Sequence, residues 1–485
     1  MYLKADWSFL EKITMGAIGT QKITEILNSN GHNIIELERY SSSNKIWATK
    51  IKRLRIPDLI CLNCGKRIES RAKSKLGIIM SDSTSNVERR WYVSLRDSDL
   101  VAFIKCTKDT KSNWIPSNTI NLFEISQLKA SEAHSNLGEP KSLSEGAERD
   151  RTWKSYIPSF DGQVTSIEEN KIKFQKVNGR NQTYTKKSDY NYYVNIDDSI
   201  EAGSVIVGSI VQSKHALNCV HNNYDFIADV SSEDIITKYC AIKSLGYLPH
   251  LKTQSVPTLN SILFSEEDIR VKIELFSTLL RLGENKWTEF KSFYAEQTEQ
   301  SMKMEIILIL GELIEHDEAQ EILLEIALDT TVNNELRACS IWNLGKLAKT
   351  HSKILPLIAD EDELVAIHTI AIIEKHLTKD ITSTLLECIG ENNRIATSAI
   401  RILSNSNNLD DSLILDTAIN ESDIVNKNKL LFTIGTSEKQ RFENDISKIS
   451  GKIGALDFIK LLWSYQANWL SPDLLNKIEF TKLQN

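Results

Sequence analysis

The segment Ile56 to Lys73, IPDLICLNCGKRIESRAK, gathers two acids, two thiols and several cations into one short stretch. Asp58 follows Pro57 at the start of one apolar run, and Glu69 lies in the next, beyond a Cys-Leu-Asn-Cys-Gly turn. A turn centred on Asn63 and Cys64 pairs positions whose numbers sum to about 127, which sets Asp58 opposite Glu69 across an antiparallel ladder. Two facing carboxylates repel. The arrangement is reasonable if a hard divalent cation such as Mg²⁺ or Mn²⁺ sits between them, or if Lys and Arg neutralise them. By the period of two, Glu69, Arg71 and Lys73 share one strand face, so a carboxylate pair and two cations converge on a single patch.

These residues resemble the PD-(D/E)xK nuclease superfamily, whose core is a helix, three strands, a helix and a fourth strand. In that family an Asp at a strand bend and the Glu of a Glu-x-Lys on the neighbouring strand hold Mg²⁺, while the Lys assists the attacking water. The resemblance implies that Asp58 and Glu69 are the metal ligands. Arg71 stands where the family has Lys. It stays protonated and cannot act as a base, but it can steady a phosphate, and Lys73 on the same face supplies an ammonium. The resemblance spans roughly the first quarter of the chain. The flanking sequence fits the same template. Trp7 to Leu27 carries Phe9, Leu10, Ile13, Ile18, Ile23, Ile26 and Leu27 at spacings near three and four, which predicts an amphipathic helix that Asn30-Gly31 stops. Ile34 to Tyr40 reads as a strand, with Glu38 as an additional acid. Trp47 to Ile56 reads as extended and basic, and Leu100 to Cys106 as a buried strand after a gap, Asp82 to Asp99, with room for a short helix.

Cations crowd this region: Lys45, Lys50, Lys52, Arg53, Arg55, Lys66, Arg67, Arg71, Lys73 and Lys75. A local basic field on a chain of net charge −7 is what a phosphate backbone requires, so Lys50, Lys52, Arg53, Arg55, Lys66, Arg67 and Lys75 are the expected nucleic-acid contacts. The alternative is a solvated strand face. Cys61 and Cys64 have the Cys-x-x-Cys-Gly spacing of a zinc knuckle, yet no second Cys-x-x-Cys exists. A Zn²⁺ there would need Cys106, a distant His such as His32, or a partner chain; otherwise the pair is a plain turn with two reduced thiols. The remaining cysteines, Cys219, Cys240, Cys339 and Cys388, are scattered, as expected of reduced thiols in a cytoplasmic protein.

A chain of 485 residues is too long for one ordinary core. The expected organisation is multidomain α+β: residues 1–130 as a mixed α/β nuclease-like core, 131–152 as a linker rich in Ser, Glu and Ala, 153–225 as a small central β barrel or sandwich, and 231–485 as an α-solenoid. The central stretch DDSIEAGSVIVGSIV is similar to barrel-sandwich hybrid modules, without the modifiable Lys tip, and implies a structural or docking role. From Ser231 the period turns helical and recurs every thirty or so residues, with Gly246, Gly283, Gly311 and Gly345 at comparable places. Leu336-Arg337-Ala338 leading to Leu344-Gly345 resembles HEAT repeats, and Ala455 to Phe480 reads as their cap. That resemblance implies a protein partner on the array, consistent with the acidic run Glu361, Asp362 and Glu363; His368 lies in an apolar stripe and reads as packing.

No apolar run reaches the ~18 to 20 residues that span a bilayer, and Met1 to Lys12 lacks a signal-peptide pattern. The leading expectation is a metal-dependent nuclease, on DNA rather than RNA, whose helical array selects a partner or substrate, in an arrangement analogous to bacterial antiphage defence proteins; a homodimer would suit a cutter of both strands. The competing expectation is a non-catalytic scaffold that keeps the hairpin as a nucleic-acid or protein docking surface.

Overall fold

A computed structural model describes residues 7–37, 47–49, 51, 54–74, 77–83, 87, 90–137, 149–220, 223–391, 393–406 and 411–437. Glu38, Lys45, Lys50, Lys52, Arg53, Lys75 and the expected cap at 455–480 lie outside them. The fold is α+β, with sheets in the N-terminal part and a run of helices towards the C-terminus. The chain forms two compact units, Met1–Lys286 and Trp287–Asn485. None of the described helices is long and apolar enough to cross a membrane.

The first unit opens with α1 (Trp7–Ser29), which ends where the sequence places its stop: Gly31, at φ 85°, turns the chain back, and the His32 amide bonds the Leu27 carbonyl at 3.1 Å. A five-stranded sheet follows, in the order β1 (Ile34–Glu36), β2 (Leu59–Cys61), β3 (Arg67–Lys73), β5 (Leu100–Lys108) and β6 (Trp114–Glu124). Strand β2 pairs antiparallel with both β1 and β3, β5 runs parallel to β3, and β6 returns antiparallel to β5. Alternation sorts the side chains. Ile68, Leu100, Ala102 and Ile104 pack under Ile23 and Leu27 of α1, while Val101 and Phe103 face the opposite core with Phe123, Trp153 and Tyr193. Each fully buried Ile or Leu at the α1 face contributes about 1.5–3 kcal/mol. Gly19 allows the close approach, since a Cβ there would meet the Ala72 Cβ at 2.5 Å.

Two expected segments differ. The gap before β5 holds a strand, β4 (Ile79–Asp82), and turns, with no α-helix among its described residues. The stretch read as a linker contains β7 (His134–Leu137) and β8 (Arg149–Thr152), which with β4 form a three-stranded sheet in the order β4, β8, β7. Polar composition concealed these strands because their stability comes from ladder bonds and from pairs such as Arg151 to Asp82 at 2.8 Å, not from an apolar pattern.

The central β signals form two sheets, not a closed barrel: β10 (Gly162–Ile167), β11 (Lys171–Lys176), β12 (Asn181–Thr185) and β14 (Ser199–Ile200) in one, and β9 (Ser155–Tyr156), β13 (Asn191–Tyr192) and β15 (Val207–Gly208) in the other. They share a core of Val164, Ile172, Phe174, Tyr190, Ile206 and Val207. The first helices also belong to this unit. Ile60 and Leu62 of the hairpin lie in one core with Tyr239, Ile242 and Leu245 of helix Ile235–Leu245, and the buried Lys243 ammonium donates to the Leu37 carbonyl at 3.1 Å.

In the second unit, helices Gln300–Glu312, Asn334–Leu344, Glu363–Lys375, Asn393–Asn405 and Ile424–Thr436 each pack on the next, and the helices between them form a second layer. Their starts at 300, 334, 363, 393 and 424 keep the thirty-residue period of the sequence. Asn333, Asp362 and Asp423 cap three of them by accepting bonds from amides in the first turn. Asp362, from the acidic run, is therefore a cap that also receives the Asn334 amide at 2.7 Å.

Candidate functional site

The hairpin carries the register expected of it. Leu59 pairs with Ile68 and Ile60 with Arg67, so Asp58 stands one ladder step beyond, opposite Glu69. Both ends of Asp58 are held: its carbonyl accepts from the Leu37 amide at 2.8 Å, and its carboxylate Oδ2 accepts from the Ser70 amide at 2.6 Å. Ser70 is braced from behind by the Thr20 hydroxyl of α1 at 2.8 Å. By strand alternation Glu69 faces away from Ser70 and α1, its side chain 14% exposed, with its carboxylate 2.5 Å from the Arg71 guanidinium. The Glu69 carboxyl is raised to about 7, chiefly by burial and further by Asp58, against the pull of Arg71 and Arg55. That mutual influence places the Asp58 and Glu69 charges within electrostatic reach of each other.

Lys73 follows Arg71 on the same face, and the parallel register sets Arg71 beside Phe103 and Lys73 beside Lys105. Lys105, which sequence reading did not single out, donates its ammonium to the Ala202 carbonyl. The patch is thus two carboxylates and two cations on one side of a sheet, bordered by a third ammonium engaged with the central β module.

The expected nucleic-acid contacts divide. Arg55 is exposed. Lys66 is partly exposed and bonds the Ser98 carbonyl at 3.0 Å and Glu124 at 3.5 Å. Arg67 cannot serve. Its side chain is 1% exposed, and its Nε and Nη2 bond the buried Asp99 carboxylate at 2.6 to 3.0 Å. Period two correctly aligns Arg67 with Glu69 and Arg71, but helix Ile235–Leu245 covers the hairpin end of that face, with Cys240 beside the pair. Asp99 was legible only as the polar residue before the apolar run of β5.

The thiols of the turn form a second cluster. One ligand atom from each of His32, Cys61, Cys64 and Cys219 lies within 4.8 Å of the others. Cys61 Sγ is 3.9 Å from Cys219 Sγ, and Cys64 Sγ is 4.0 Å from His32 Nδ1. His32 Nε2 is 3.2 Å from the Ala216 carbonyl, which fixes Nε2 as the protonated nitrogen and turns Nδ1 towards the sulfurs. A hydrogen bond from Cys64 drives Cys61 well below the usual thiol range against the cost of burial, and Cys64 is pushed up in turn. Cys106, the other thiol considered for this site, is buried under α1 outside the cluster. Cys219 was missed because it is 158 residues from Cys61.

No family model matches the chain, and no curated protein matches it. Among solved structures, the Escherichia coli protein YibA from a structural genomics consortium is 12% identical, with a TM-score of 0.25, over 50% of this chain and 91% of its own. A structure in which Kap95p binding induces the switch loops of RanGDP to adopt the GTP-bound conformation is 13% identical, with a TM-score of 0.28, over 49% of this chain and 39% of that one.

Proposed function

We propose that the first unit is a divalent-metal-dependent nuclease acting on DNA in preference to RNA, and that the second is a HEAT-type α-solenoid that docks a protein partner. The observation that supports the first part is the convergence of Asp58, Glu69, Arg71 and Lys73 on one face of a sheet that shares with the PD-(D/E)xK template a leading helix, three successive antiparallel strands and a later strand parallel to the third, while the template's second helix is not found among the described residues. Asp58 and Glu69 would hold Mg²⁺ or Mn²⁺. Bound there, the ion supplies an acidified water for attack on phosphorus. Arg71 and Lys73 stabilise the added negative charge on the phosphoryl oxygens as the P–O bond to the departing sugar breaks. The two-layered stacking of helices at a thirty-residue period supports the second part, because each repeat buries its apolar face only against its neighbours.

Plasmid, single-stranded DNA and RNA are incubated with the full chain in Mg²⁺ or Mn²⁺, beside Asp58→Asn and Glu69→Gln. Metal-dependent cleavage that falls at least a hundredfold in both variants is the expected result. The 2.5 Å pair of Arg71 with Glu69 favours a second reading, in which an internal cation replaces the metal and the face only docks nucleic acid. In that case no cleavage occurs, binding weakens when Lys52, Arg53 and Arg55 lose their charge, and affinity falls steeply with salt. Arg71→Lys separates the two: it restores the family spacing and keeps or raises cleavage in a nuclease, but creates none in a docking surface.

A further inference from the structure

We propose that His32, Cys61, Cys64 and Cys219 form a closed structural zinc centre that locks the hairpin turn to the exit of α1 and to the segment entering the first helices. Tetrahedral zinc, with Zn–S of ~2.3 Å and Zn–N of ~2.0–2.1 Å, sets its sulfurs roughly 3.8 Å apart and sulfur to nitrogen roughly 3.5 Å. The 3.9 Å between Cys61 and Cys219 and the 4.0 Å between Cys64 and His32 lie within a few tenths of an ångström of those values, and since all four ligand atoms lie within 4.8 Å of one another the whole set closes on an ion by movements of at most about 1 Å. A disulfide does not account for the cluster: an S–S bond is ~2.05 Å long, and it would leave a third thiol and the imidazole converging on nothing. Three thiolates and one imidazole are soft and borderline donors of the kind that select zinc, and four protein ligands leave no position for a reacting water, so the centre is structural.

The backbone around it is built for such a clamp. The Cys219 amide bonds the Asn30 carbonyl at 3.1 Å, the Leu62 amide the Asn33 carbonyl at 2.7 Å, and the Tyr224 amide the Asn63 carbonyl at 3.1 Å. The Asn63 side-chain amide donates to the Gly31 carbonyl at 3.0 Å. Three segments far apart in sequence are therefore stitched together around the four ligands. Gly65, at φ 68°, closes the knuckle with the Tyr224 ring against it. The Ala216 carbonyl on His32 Nε2 is the outer partner that orients a metal-bound imidazole.

The test is the metal content of the full chain purified without chelator or added metal, followed by exchange of the bound metal for Co²⁺. One zinc per chain is expected, with the visible bands of tetrahedral Co²⁺ and a thiolate charge-transfer band on exchange. Cys219→Ser removes the stoichiometric zinc, whereas Cys106→Ser and Cys388→Ser keep it. His32→Cys retains the metal and strengthens the charge-transfer band by adding a thiolate, which guards against reading a misfolded variant as support. Asp58→Asn leaves the zinc in place, so this outcome is independent of nuclease activity. A folded wild-type chain without bound metal, whose three thiols react freely with a thiol reagent, or a Cys61–Cys64 disulfide found by mass spectrometry, overturns the proposal.

Discussion

Replacing Arg67 by Met removes a guanidinium that is 1% exposed and leaves the Asp99 carboxylate, 4% exposed, with a single amide donor, Arg96 N at 2.7 Å. Breaking a buried pair from one side costs about 3–5 kcal/mol, because the remaining charge stays desolvated without compensation. Three close contacts from Nε and Nη2 to the carboxylate put this pair at the upper part of that range. With a urea slope near 3 kcal/mol/M, the unfolding midpoint of the first unit falls by about 1.3 to 1.7 M. Hydrogen exchange under a urea series, followed on peptides covering β3 and β5 in the full chain, reads that unit without interference from the second. Asp99→Leu alone should cost a similar amount. The double variant Arg67→Met with Asp99→Leu should recover most of it, so that the coupling in the cycle exceeds the cost of either single variant. A single-variant cost below about 1 kcal/mol with additive double behaviour, the pattern of a surface pair, refutes the assignment and returns Arg67 to the set of available phosphate contacts.

Gly65→Ala forces a side chain into the left-handed region and against the Tyr224 ring, and should cost about 1–3 kcal/mol for the backbone alone; pairing it with Tyr224→Ala should remove the clash but not the backbone part, as thermal unfolding of both variants would show. In the second unit Arg337, buried, bonds Asp360 at 2.5 and 3.2 Å and the Ala327 carbonyl at 3.0 Å. Burial pushes the Asp360 carboxyl up, but bonds from Arg337 and the Asp362 amide outweigh it and hold the group below its ordinary value. Its contribution is therefore complete above the unfolded-state value near pH 4 and is lost as pH falls through the lower folded value. Asp360→Asn should lower stability at neutral pH and flatten the acid limb of a stability profile of this unit; an unchanged limb would show that other carboxylates govern it.

Much of the hairpin was readable because its information is local. Two apolar runs and a Cys-x-x-Cys-Gly turn set the sum-127 register, and α1 ended at Asn30-Gly31 because a left-handed glycine can reverse the chain there. The helical period was readable for the same reason, since every repeat solves the same packing problem with the same spacing. What stayed hidden depends on contacts distant in sequence. Arg67 and Arg71 sit two residues apart on one strand face, and nothing local says that a helix beginning at Ile235 covers the first. Cys219 lies in an unremarkable loop sequence, 158 residues from Cys61, and meets the knuckle only through the tertiary fold. The strands at 134–137 and 149–152 were lost to composition, because ladder pairing needs no apolar alternation.

The position of the acids between two restraints bears on how they could act. At the turn end, Cys61 is tied into the thiol cluster; next to Glu69, Arg67 is fixed by Asp99; and behind the strand, α1 holds Ser70, whose amide holds Asp58. Asp58 is held in place and Glu69 is paired with Arg71, so the charge on the face is balanced where it stands. Asp58 and Glu69 against Arg71 and Lys73 come to about zero, and an entering phosphodiester makes the patch net negative. A divalent cation held by Asp58 and Glu69 would more than offset that charge. If Arg71 remains on Glu69 instead, phosphate gains little at this face and must be held by the exposed cations around it. Metal-dependent affinity at Asp58 and Glu69 is therefore the property that a nuclease site needs and a docking surface lacks, which is why cleavage and binding must be measured on the same two variants.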